Sequence, residues 1–339
     1  MIEIIQINDQ KKWDEIIRSM QGFDFYHLNA YHKLENSGIP ILFSYKDSEI
    51  SFALPLIIRN IQGTDYKDVT SVYGYSGPLS KSTLPPAESL KKFQEALHSF
   101  FDEQHIVSAF SRLHPLISNQ PALLKDMGII EDANLTVGID LTLPEELQVK
   151  QYSRSLRNRI NHLKRIGVEI FQAKSQADVD AFIDIYTDNM KRVNAAESYF
   201  FPPSYFYSFV ENIDSFILLA SYQGKIISGT LFAECNNILH AHLNATKTAY
   251  LDLSPLKLVL DTGRKIGIEH KMHLMHLGGG LSGKNNSLFT FKSRFSKLYF
   301  TFHTWKYIHN KTIYDELVAE KISNSERNIS FFPVYRANM

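Results

Sequence analysis

The spacing of apolar residues along the first half of the chain predicts alternating strands and helices. Alternation over residues 2–7 indicates a half-buried strand. Two apolar runs at 41–45 and 50–58 flank the polar turn KDSE and predict a β-hairpin. An apolar residue at every third or fourth position predicts a helix over 86–104. The remaining predicted elements of this half are a helix over 11–20 that Asp9 can cap, and strands over 106–113 and 135–141.

The second half repeats this order of elements. Its signals are a hairpin around Gln223-Gly224, a long helix capped by Ser175, and a helix over 255–266 that Gly267 is expected to stop. The other predicted elements are helices over 155–166, 203–211 and 312–321 and strands over 168–171, 216–222, 225–232, 238–244, 272–277 and 299–307.

Because both halves follow the order strand, helix, hairpin, further strand, helix and strand, the sequence predicts an α/β (α+β) chain of two similar domains. The residues of the two halves barely match, so the repeat is one of element order. The polar segment 144–153 is the predicted junction. We therefore expect domains over 1–145 and 146–339, with the active site in the second.

Composition narrows the class of protein. A length of 339 residues suits two domains, and 44% hydrophobic with 21% charged residues is typical of globular chains. The net charge of zero gives no global attraction to nucleic acid or membrane, and no DNA partner is expected. A single cysteine, Cys235, excludes an intrachain disulfide. With no visible leader and no apolar stretch near the ~20 residues that span a bilayer, a cytoplasmic protein is expected.

Residues 272–296, MHLMHLGGGLSGKNNSLFTFKSRFS, are the most informative stretch. An apolar run ends at Gly278, Gly279 and Gly280. Consecutive glycines cost backbone entropy, and they are typical of positions that need positive φ or the close approach of another group. We therefore predict a substrate or acyl-donor site here.

Two other interpretations of these glycines stay open. The spacing of Gly278, Gly283 and Lys284 satisfies most of the phosphate-binding pattern G-x-x-x-x-G-K-[ST], which would indicate a nucleotide-binding protein. However, Asn285 stands where that motif needs a hydroxyl to ligate Mg²⁺. A glycine-rich turn with a purely structural role is the second interpretation.

Several segments resemble a known family. The element order of each half resembles the GNAT (acyl-CoA N-acyltransferase) fold, and the whole chain resembles the FemAB-like, or Fem-type, peptidyltransferases, which have two such domains in tandem. The segments that carry the resemblance are YGYSGPL at 73–79, SLRNRINHLKRIGVEI at 155–170, MKRVNAAESYFF at 190–201, LHAHLNAT at 239–246 and HLGGGLSGKNNSLFTFKSRFS at 276–296.

The resemblance implies transfer of an acyl or aminoacyl group to an amine, with acyl-CoA (acetyl-CoA) or aminoacyl-tRNA as donor. It implies an acceptor among small-molecule or lipid-linked envelope precursors, in peptidoglycan or surface-polysaccharide biosynthesis. The chain departs from relatives in three ways. It lacks the coiled-coil insertion of some tRNA-using members and the R-x-x-G-x-G/A loop that binds coenzyme A, and Asn286 stands where many relatives have an acid. A relative that binds substrate without catalysis is the alternative.

Acyl transfer to an amine needs a base, donors for the oxyanion and positioning of two substrates, and it requires no metal. Lys292 is the predicted catalytic cation, because Phe291 and its neighbours can bury the lysine stem. Arg294 and the glycine triplet would bind substrate. Tyr75 and Tyr73 flank a glycine in a turn and could donate a proton or stack on substrate. A solvated lysine and packed tyrosines are the structural alternatives.

Other polar residues complete the predicted site. His240, His242 and Asn244 alternate on one strand, so a shared polar face is predicted, with His242 or His240 as proton acceptor. Structural histidines that are satisfied in the core are the alternative, and a metal pair of histidines is disfavoured. The segment 148–168 has six basic residues and no acidic one, and its Arg154 and Arg157 could bind phosphate. Arg192 could do the same, although a solvated helix explains the pattern equally well.

Overall fold

The computed structural model describes residues 1–280, 287–321 and 331–337, and the chain divides into two compact units. One comprises Met1–Ala133 and Thr301–Met339, and the other comprises Asn134–Phe300. The elements of the first unit, up to the strand that leads out of it, are β1 (Ile2–Gln6), α1 (Gln10–Arg18), α2 (Asn29–His32), β2 (Ile39–Lys46), β3 (Ser51–Asn60), β4 (Lys67–Thr70), β5 (Leu79–Ser80), α3 (Ala87–Glu103), β6 (Ile106–Arg112), α4 (Gln120–Leu123) and β7 (Ile129–Asp140).

The second unit continues the chain and then returns it to the first. Its elements are α5 (Glu145–Lys150), α6 (Arg154–Arg165), β8 (Glu169–Gln172), α7 (Gln176–Arg192), α8 (Pro203–Asn212), β9 (Ser215–Tyr222), β10 (Lys225–Cys235), β11 (Ile238–Thr246), α9 (Leu256–Glu269), β12 (Leu274–Gly279) and α10 (Ser287–Lys292). Strand β13 (Leu298–Ile308) begins in this unit and continues into the first, where α11 (Lys311–Lys321) follows it. Short 3₁₀ helices lie at Phe25–His27, Glu197–Tyr199, Thr248–Leu253 and Val334–Arg336.

The sheet of each unit contains the same mixed motif. In the first unit, the antiparallel strands β1, β2, β3 and β4 are followed by α3 and then by β6, which pairs parallel with β4. In the second unit, β8, β9, β10 and β11 are antiparallel, and β12 pairs parallel with β11 after α9. The repeated order of elements predicted from the sequence is therefore confirmed at the level of strand pairing.

Helices flank each sheet and bury an aromatic-rich core. In the first unit, the predicted stripe of α3 faces the sheet, and Phe93 stacks on Phe52 with a centroid distance of 4.7 Å. In the second unit, Leu156, Ile160 and Leu163 of α6 are buried against the core that α9 shares. The predicted mixed α/β class is correct. None of the helices in the described ranges combines the length and apolarity needed to cross a bilayer.

The predicted last residues of one helix and one strand in the second unit are wrong. Helix α9 does not stop at Gly267 but continues to Glu269. A Cβ atom on Gly267 would lie 2.9 Å from both Leu141 Cδ1 and Leu239 Cδ2, so this glycine permits close helix-to-sheet packing instead of ending the helix. Strand β12 also runs on through Gly278 and Gly279, which the sequence placed after the strand.

The unit bounds differ from the single junction expected at 145/146. Residues 304–308 of β13 pair antiparallel with β6, which places the last strand in the sheet of the first unit. Helix α11 follows it, and Arg336 donates hydrogen bonds to Asp68 and to the Asn60 carbonyl of the same unit. The carboxyl-terminal segment therefore packs with the first unit.

Candidate functional site

The two parallel strands of the second unit stop pairing at a point where both are irregular. Pairing of β11 with β12 covers only 238–240 and 274–276. Beyond it, a bulge places His242 outside the regular ladder of β10 and β11, and β12 shifts register between His276 and Gly278. We call residues 242–244 and 277–279 the fork. Because ligands bind beyond the carboxyl ends of parallel strands, the fork is the candidate site of this unit.

Gly278 and Gly279 form one side of the fork with Lys292. Gly278 has a φ of +73°, a conformation that other residues rarely adopt. The ammonium Nζ of Lys292 donates a hydrogen bond of 2.7 Å to the carbonyl oxygen of Gly279. A Cβ atom on Gly278 would stand 3.2 Å from the same nitrogen. The glycines therefore let a lysine end lie directly against the strand backbone, thirteen residues away along the chain.

Aromatic rings pack around the turn that follows Lys292. Lys292 is the last residue of α10, and the following turn is anchored by Phe295, which packs edge-on against Tyr152 at 5.4 Å and against Phe291 at 5.8 Å. Burial removes water from the ammonium and lowers the pKa of Lys292 to about 8. The role of Phe291 in covering the lysine stays a prediction. At neutral pH the site contains a weakly hydrated positive charge.

Replacing Gly278 by alanine is expected to disturb Lys292 as well as the backbone. Gly224, in the β9–β10 turn, has a nearly identical φ of +72°, but a Cβ atom there would meet no other atom within 4 Å, so Gly224→Ala is a matched control. Both variants should lose about 1 kcal/mol from backbone strain. Only Gly278→Ala should also change the titration of Lys292, measured by NMR of the labelled lysine side chain. Equal titration in both variants would contradict the contact.

The predicted polar face of β11 divides into three separate arrangements, because the bulge interrupts the regular alternation of the strand. His240 is buried, and its Nδ1 lies 3.3 Å from Nδ1 of His276. His242 Nε2 lies 2.9 Å from the hydroxyl of Tyr205, and its ring stacks on a phenylalanine of α8. Asn244 accepts from the Thr230 hydroxyl at 2.9 Å, within the strands themselves. Of these three residues, His242 is the one that contacts helix α8, through the hydroxyl of Tyr205.

The predicted arginines lie in different settings. Arg157 donates to the carbonyl oxygen of Tyr152 at 2.7 Å, and so ties α6 to the turn before it. Arg192 is exposed at the end of α7 and donates to Asn189 Oδ1 at 2.6 Å. Arg154 is exposed on the first turn of α6. The backbone oxygen of Arg294 accepts from Ser153 N at 2.9 Å, which brings the segment after Lys292 against the start of α6.

Tyr75 belongs to the first unit. It follows β4, at the place that corresponds in strand order to the fork, just before the isolated bridge between Ser76 and Leu113. Its ring packs edge-on against Tyr26 at 5.9 Å and Phe302 at 5.2 Å. The neighbouring Tyr73 accepts a hydrogen bond from Tyr31 through its carbonyl oxygen, so the YGYSGPL segment is a packed aromatic turn of that unit.

Comparison with known proteins gives matches in structure alone. No family model matches the sequence, and no curated protein matches it. The crystal structure of FemX superposes with a TM-score of 0.71 over 93% of this chain and 99% of its own, at 12% identity. L-PGS from Bacillus licheniformis gives 0.61 over 91% and 95%, at 14% identity. A tandem GNAT protein from the clavulanic acid biosynthesis pathway, without AcCoA, gives 0.52 over 90% and 98%, at 9% identity. The chain has a FemAB-like, GNAT-type fold.

Within this FemAB-like fold, the structure reveals a cationic cluster that the sequence did not predict. Lys257 is 7% exposed on the first turn of α9, and within the described ranges its ammonium has no hydrogen bond or ion pair. Burial, followed by the nearby positive charges of Arg294 and Arg159, lowers the pKa of Lys257. A buried lysine beside two arginines is an unfavourable arrangement that an anion would stabilise. The sequence signals were the basic segment 148–168, which contributes Arg159, and the prediction that Arg294 binds substrate; nothing in the sequence indicated Lys257.

Gly280 is the last described residue before the gap at 281–286. Gly280 is partly buried and accepts a long hydrogen bond of 3.5 Å from Asn134. Gly283, Lys284, Asn285 and Asn286, on which the nucleotide-binding alternative and the missing acid depend, lie outside the described residues.

Proposed function

We propose that this chain is a bacterial N-acyl- or aminoacyltransferase whose reaction takes place at the fork. The observation that carries the proposal is the Lys292 ammonium, held 2.7 Å from the Gly279 carbonyl at the carboxyl ends of the two parallel strands. The FemAB-like fold supports the reaction class, because its structural neighbours include FemX, L-PGS and a tandem GNAT protein. We place the protein in the cytoplasm, where activated acyl and aminoacyl donors are made.

Lys292 would act as a fixed positive charge. When an amine attacks an acyl carbonyl, negative charge develops on the carbonyl oxygen, and a preorganised cation there stabilises the transition state. The desolvated ammonium interacts more strongly with such a charge than a hydrated one does. With a pKa of about 8, Lys292 is mostly protonated at neutral pH and can take this role without first acquiring a proton.

The cluster of Lys257, Arg294 and Arg159 would bind the phosphates of the donor. Acyl-CoA and aminoacyl-tRNA both supply an activated acyl group attached to a phosphate-bearing carrier. The described residues just before α9 form no glycine-rich loop that could present backbone amides to a pyrophosphate. The amides of Lys257 and Leu258 donate instead to the carbonyl oxygens of Ser254 and Pro255. Side-chain cations would replace it, and Arg294 connects them to the Lys292 segment, two residues away along the chain.

The acceptor amine must lose its proton to attack. His242 is the candidate base on the other side of the fork, oriented by the 2.9 Å contact of its Nε2 with Tyr205. The acceptor would be an amine of a cell-envelope precursor, either a peptidoglycan peptide or a nucleotide-linked amino sugar. Arg192 and Arg154, both exposed, are the residues we assign to its phosphates.

The donor can be identified by thermal stability of the pure protein with acetyl-CoA, longer acyl-CoAs, free coenzyme A and aminoacyl-tRNA. A donor at 100 times its Kd should stabilise the chain by ~2.7 kcal/mol, which is a shift of several degrees in Tm. Lys257→Met should weaken that donor by about tenfold or more, because a charged phosphate contact is lost. Lys265→Met on the same helix is the control, since Lys265 is half-exposed and faces Glu145.

The outcomes separate the possibilities. A shift with acyl-CoA, lost in Lys257→Met only, supports a CoA-dependent enzyme, and a shift with aminoacyl-tRNA alone supports a tRNA-dependent one. Amide formation with peptidoglycan peptides or UDP-amino sugars then identifies the acceptor. If a donor binds but no amine is acylated, the chain is a binding protein. If none binds, the proposal is wrong.

A further inference from the structure

Two histidines and an aspartate converge in the first unit, in a place that the proposed transferase reaction does not use. His98 and Asp102 lie four residues apart on α3, and His309 follows the end of β13. Nε2 of His309 is 2.7 Å from one carboxylate oxygen of Asp102, and Nδ1 of His98 is 3.3 Å from the other. The three ligand atoms all lie within 4.8 Å of one another.

Helix α3 and the end of β13 each position one part of this cluster. Residues four apart on a helix share one face, so α3 presents a nitrogen and a carboxylate together. His309 is the rigid member, with a side chain only 4% exposed, whereas the side chains of His98 and Asp102 are 55% and 65% exposed. The ring of His309 packs edge-on against Phe101 at 5.6 Å and against His98 at 4.4 Å. One side of the cluster is therefore fixed in protein, and the other is open to solvent.

The ring nitrogen of His309 that faces away from Asp102 also has a polar contact. Its Nδ1 lies 3.4 Å from the hydroxyl of Tyr307, which leaves Nε2 directed at Asp102. A polar contact of this kind on the remote ring nitrogen is the usual way in which proteins orient a metal-binding imidazole.

We propose that His98, Asp102 and His309 form a binding site for a divalent transition metal of the zinc class. Imidazole nitrogen and carboxylate oxygen are zinc ligands at roughly 2.0–2.2 Å. At these bond lengths the ligand atoms of a tetrahedral ion are about 3.3–3.5 Å apart. The 3.3 Å separation of His98 from Asp102 already has that value, and the 2.7 Å hydrogen bond of His309 to Asp102 would lengthen by about 0.6 Å when an ion replaces its proton. Two nitrogens favour zinc, cobalt or nickel over magnesium or calcium, which take oxygen ligands.

A bound ion would join the last turn of α3 to the end of β13. His309 and Asp102 are 207 residues apart in the chain, which explains why no motif in the sequence indicated this site. The expectation of no metal came from the chemistry of acyl transfer and from the His240–His242 pair, and neither involves these three residues. The site is independent of the proposed transferase function, so either can fail without the other.

Cobalt spectroscopy and zinc titration of the tag-free, EDTA-treated chain test the proposal. We expect one equivalent of Co²⁺ to give the visible absorption of a four- or five-coordinate ion, Zn²⁺ to displace it, and Zn²⁺ but not Mg²⁺ to raise Tm by several degrees. His98→Ala and Asp102→Asn, both at exposed side chains, should each weaken Zn²⁺ by about tenfold or more.

His270→Ala is the matched control. His270 is 47% exposed and lies 2.7 Å from the carboxylate of Glu234, so it is a histidine–carboxylate pair in the second unit. Within the described ranges it has no second histidine in its cluster. Absence of binding at millimolar Zn²⁺, binding unchanged in His98→Ala and Asp102→Asn, or binding lost equally in His270→Ala would each overturn the proposal. Circular dichroism of every variant shows whether it is folded.

Discussion

Replacing Lys292 with methionine is expected to lower the turnover of acyl transfer by about 10²- to 10³-fold, which is the usual effect of removing one preorganised donor to a developing oxyanion. The fold should survive the change. Methionine fills a similar volume and needs no water, whereas the lysine is a desolvated cation whose pKa is reduced from 10.5 to about 8. That reduction corresponds to roughly 3 kcal/mol, and the lost hydrogen bond to Gly279 costs about 1.5–3 kcal/mol.

These two effects largely offset each other, so Lys292→Met should unfold within about 2 kcal/mol of the parent at pH 7. Turnover and urea unfolding of both proteins give the two quantities. Lys297→Met is the control, because Lys297 is exposed in the same segment and its Nζ donates to the Ser293 carbonyl at 3.0 Å. Full turnover in Lys292→Met would remove Lys292 from the mechanism, and a large loss of stability would leave its role undecided between folding and catalysis until the pH profile is measured.

The dependence of turnover on pH is a second test of whether Lys292 acts as a cation. A lysine that acts as a cation works only while protonated, so turnover should fall as pH rises through about 8. Lys292→Arg keeps its proton throughout this range and should lose the decline. The contribution of Lys292 to the free energy of unfolding should change with pH in the opposite direction to turnover. Between pH 8 and 10.5 the unfolded chain keeps the proton and the folded chain does not, so the contribution of Lys292 to stability rises with pH. Turnover that instead increases through pH 8 would make Lys292 a base.

Replacing Arg264 with methionine is expected to destabilise the second unit by about 3–5 kcal/mol. Arg264 is fully buried and donates to Glu145 at 2.9 Å, to Gln148 at 3.0 Å and to Asp261 at 3.2 Å. Asp261 is only 5% exposed and also accepts from Tyr152 at 3.0 Å. Without Arg264, the buried carboxylate of Asp261 keeps the more distant ammonium of Lys164, at 4.0 Å, and the connection of α5 to α9 is broken.

Urea unfolding measures this loss as a lower midpoint. Lys265→Met is the matched control, because the neighbouring Lys265 faces the same Glu145 at 3.4 Å from a half-exposed position, where an ion pair contributes at most about 1 kcal/mol. The double variant Asp261→Asn, Arg264→Met should regain part of the loss, since no charge is then left buried without a partner. Equal losses in Arg264→Met and Lys265→Met would show that burial does not set the strength of this network.

Patterns within single elements predicted much of the fold. Ser175 caps α7 and makes a capping box with Asp178, as the cap signal before a long apolar stripe indicated. The hairpin of β9 and β10 turns at Gln223 and Gly224, both with positive φ. These features depend on residues within a few positions of each other, so their physical causes are visible in the sequence.

Only part of the candidate site could be predicted from the sequence, because only part of it depends on residues that are close together in the chain. The glycines and Lys292 lie within one segment, and their unusual composition identified that segment. Whether Lys292 reaches a glycine depends on the bulge of β12, and Asn244 is turned inward by the bulge of β11. A bulge shifts every later side chain on its strand, and nothing in the local pattern of these two strands indicated one.

The sequence by itself determined the order of elements, their repetition in two halves and the apolar faces that they bury, because propensity, capping and periodicity are local. The tertiary structure alone decided that the last strand returns to the first unit, that Lys257 lies beside Arg294, and that His98 and Asp102 meet His309. The physical reason is that chain entropy makes such distant contacts costly, and they form only when the packing of whole sheets and helices has already brought the residues together.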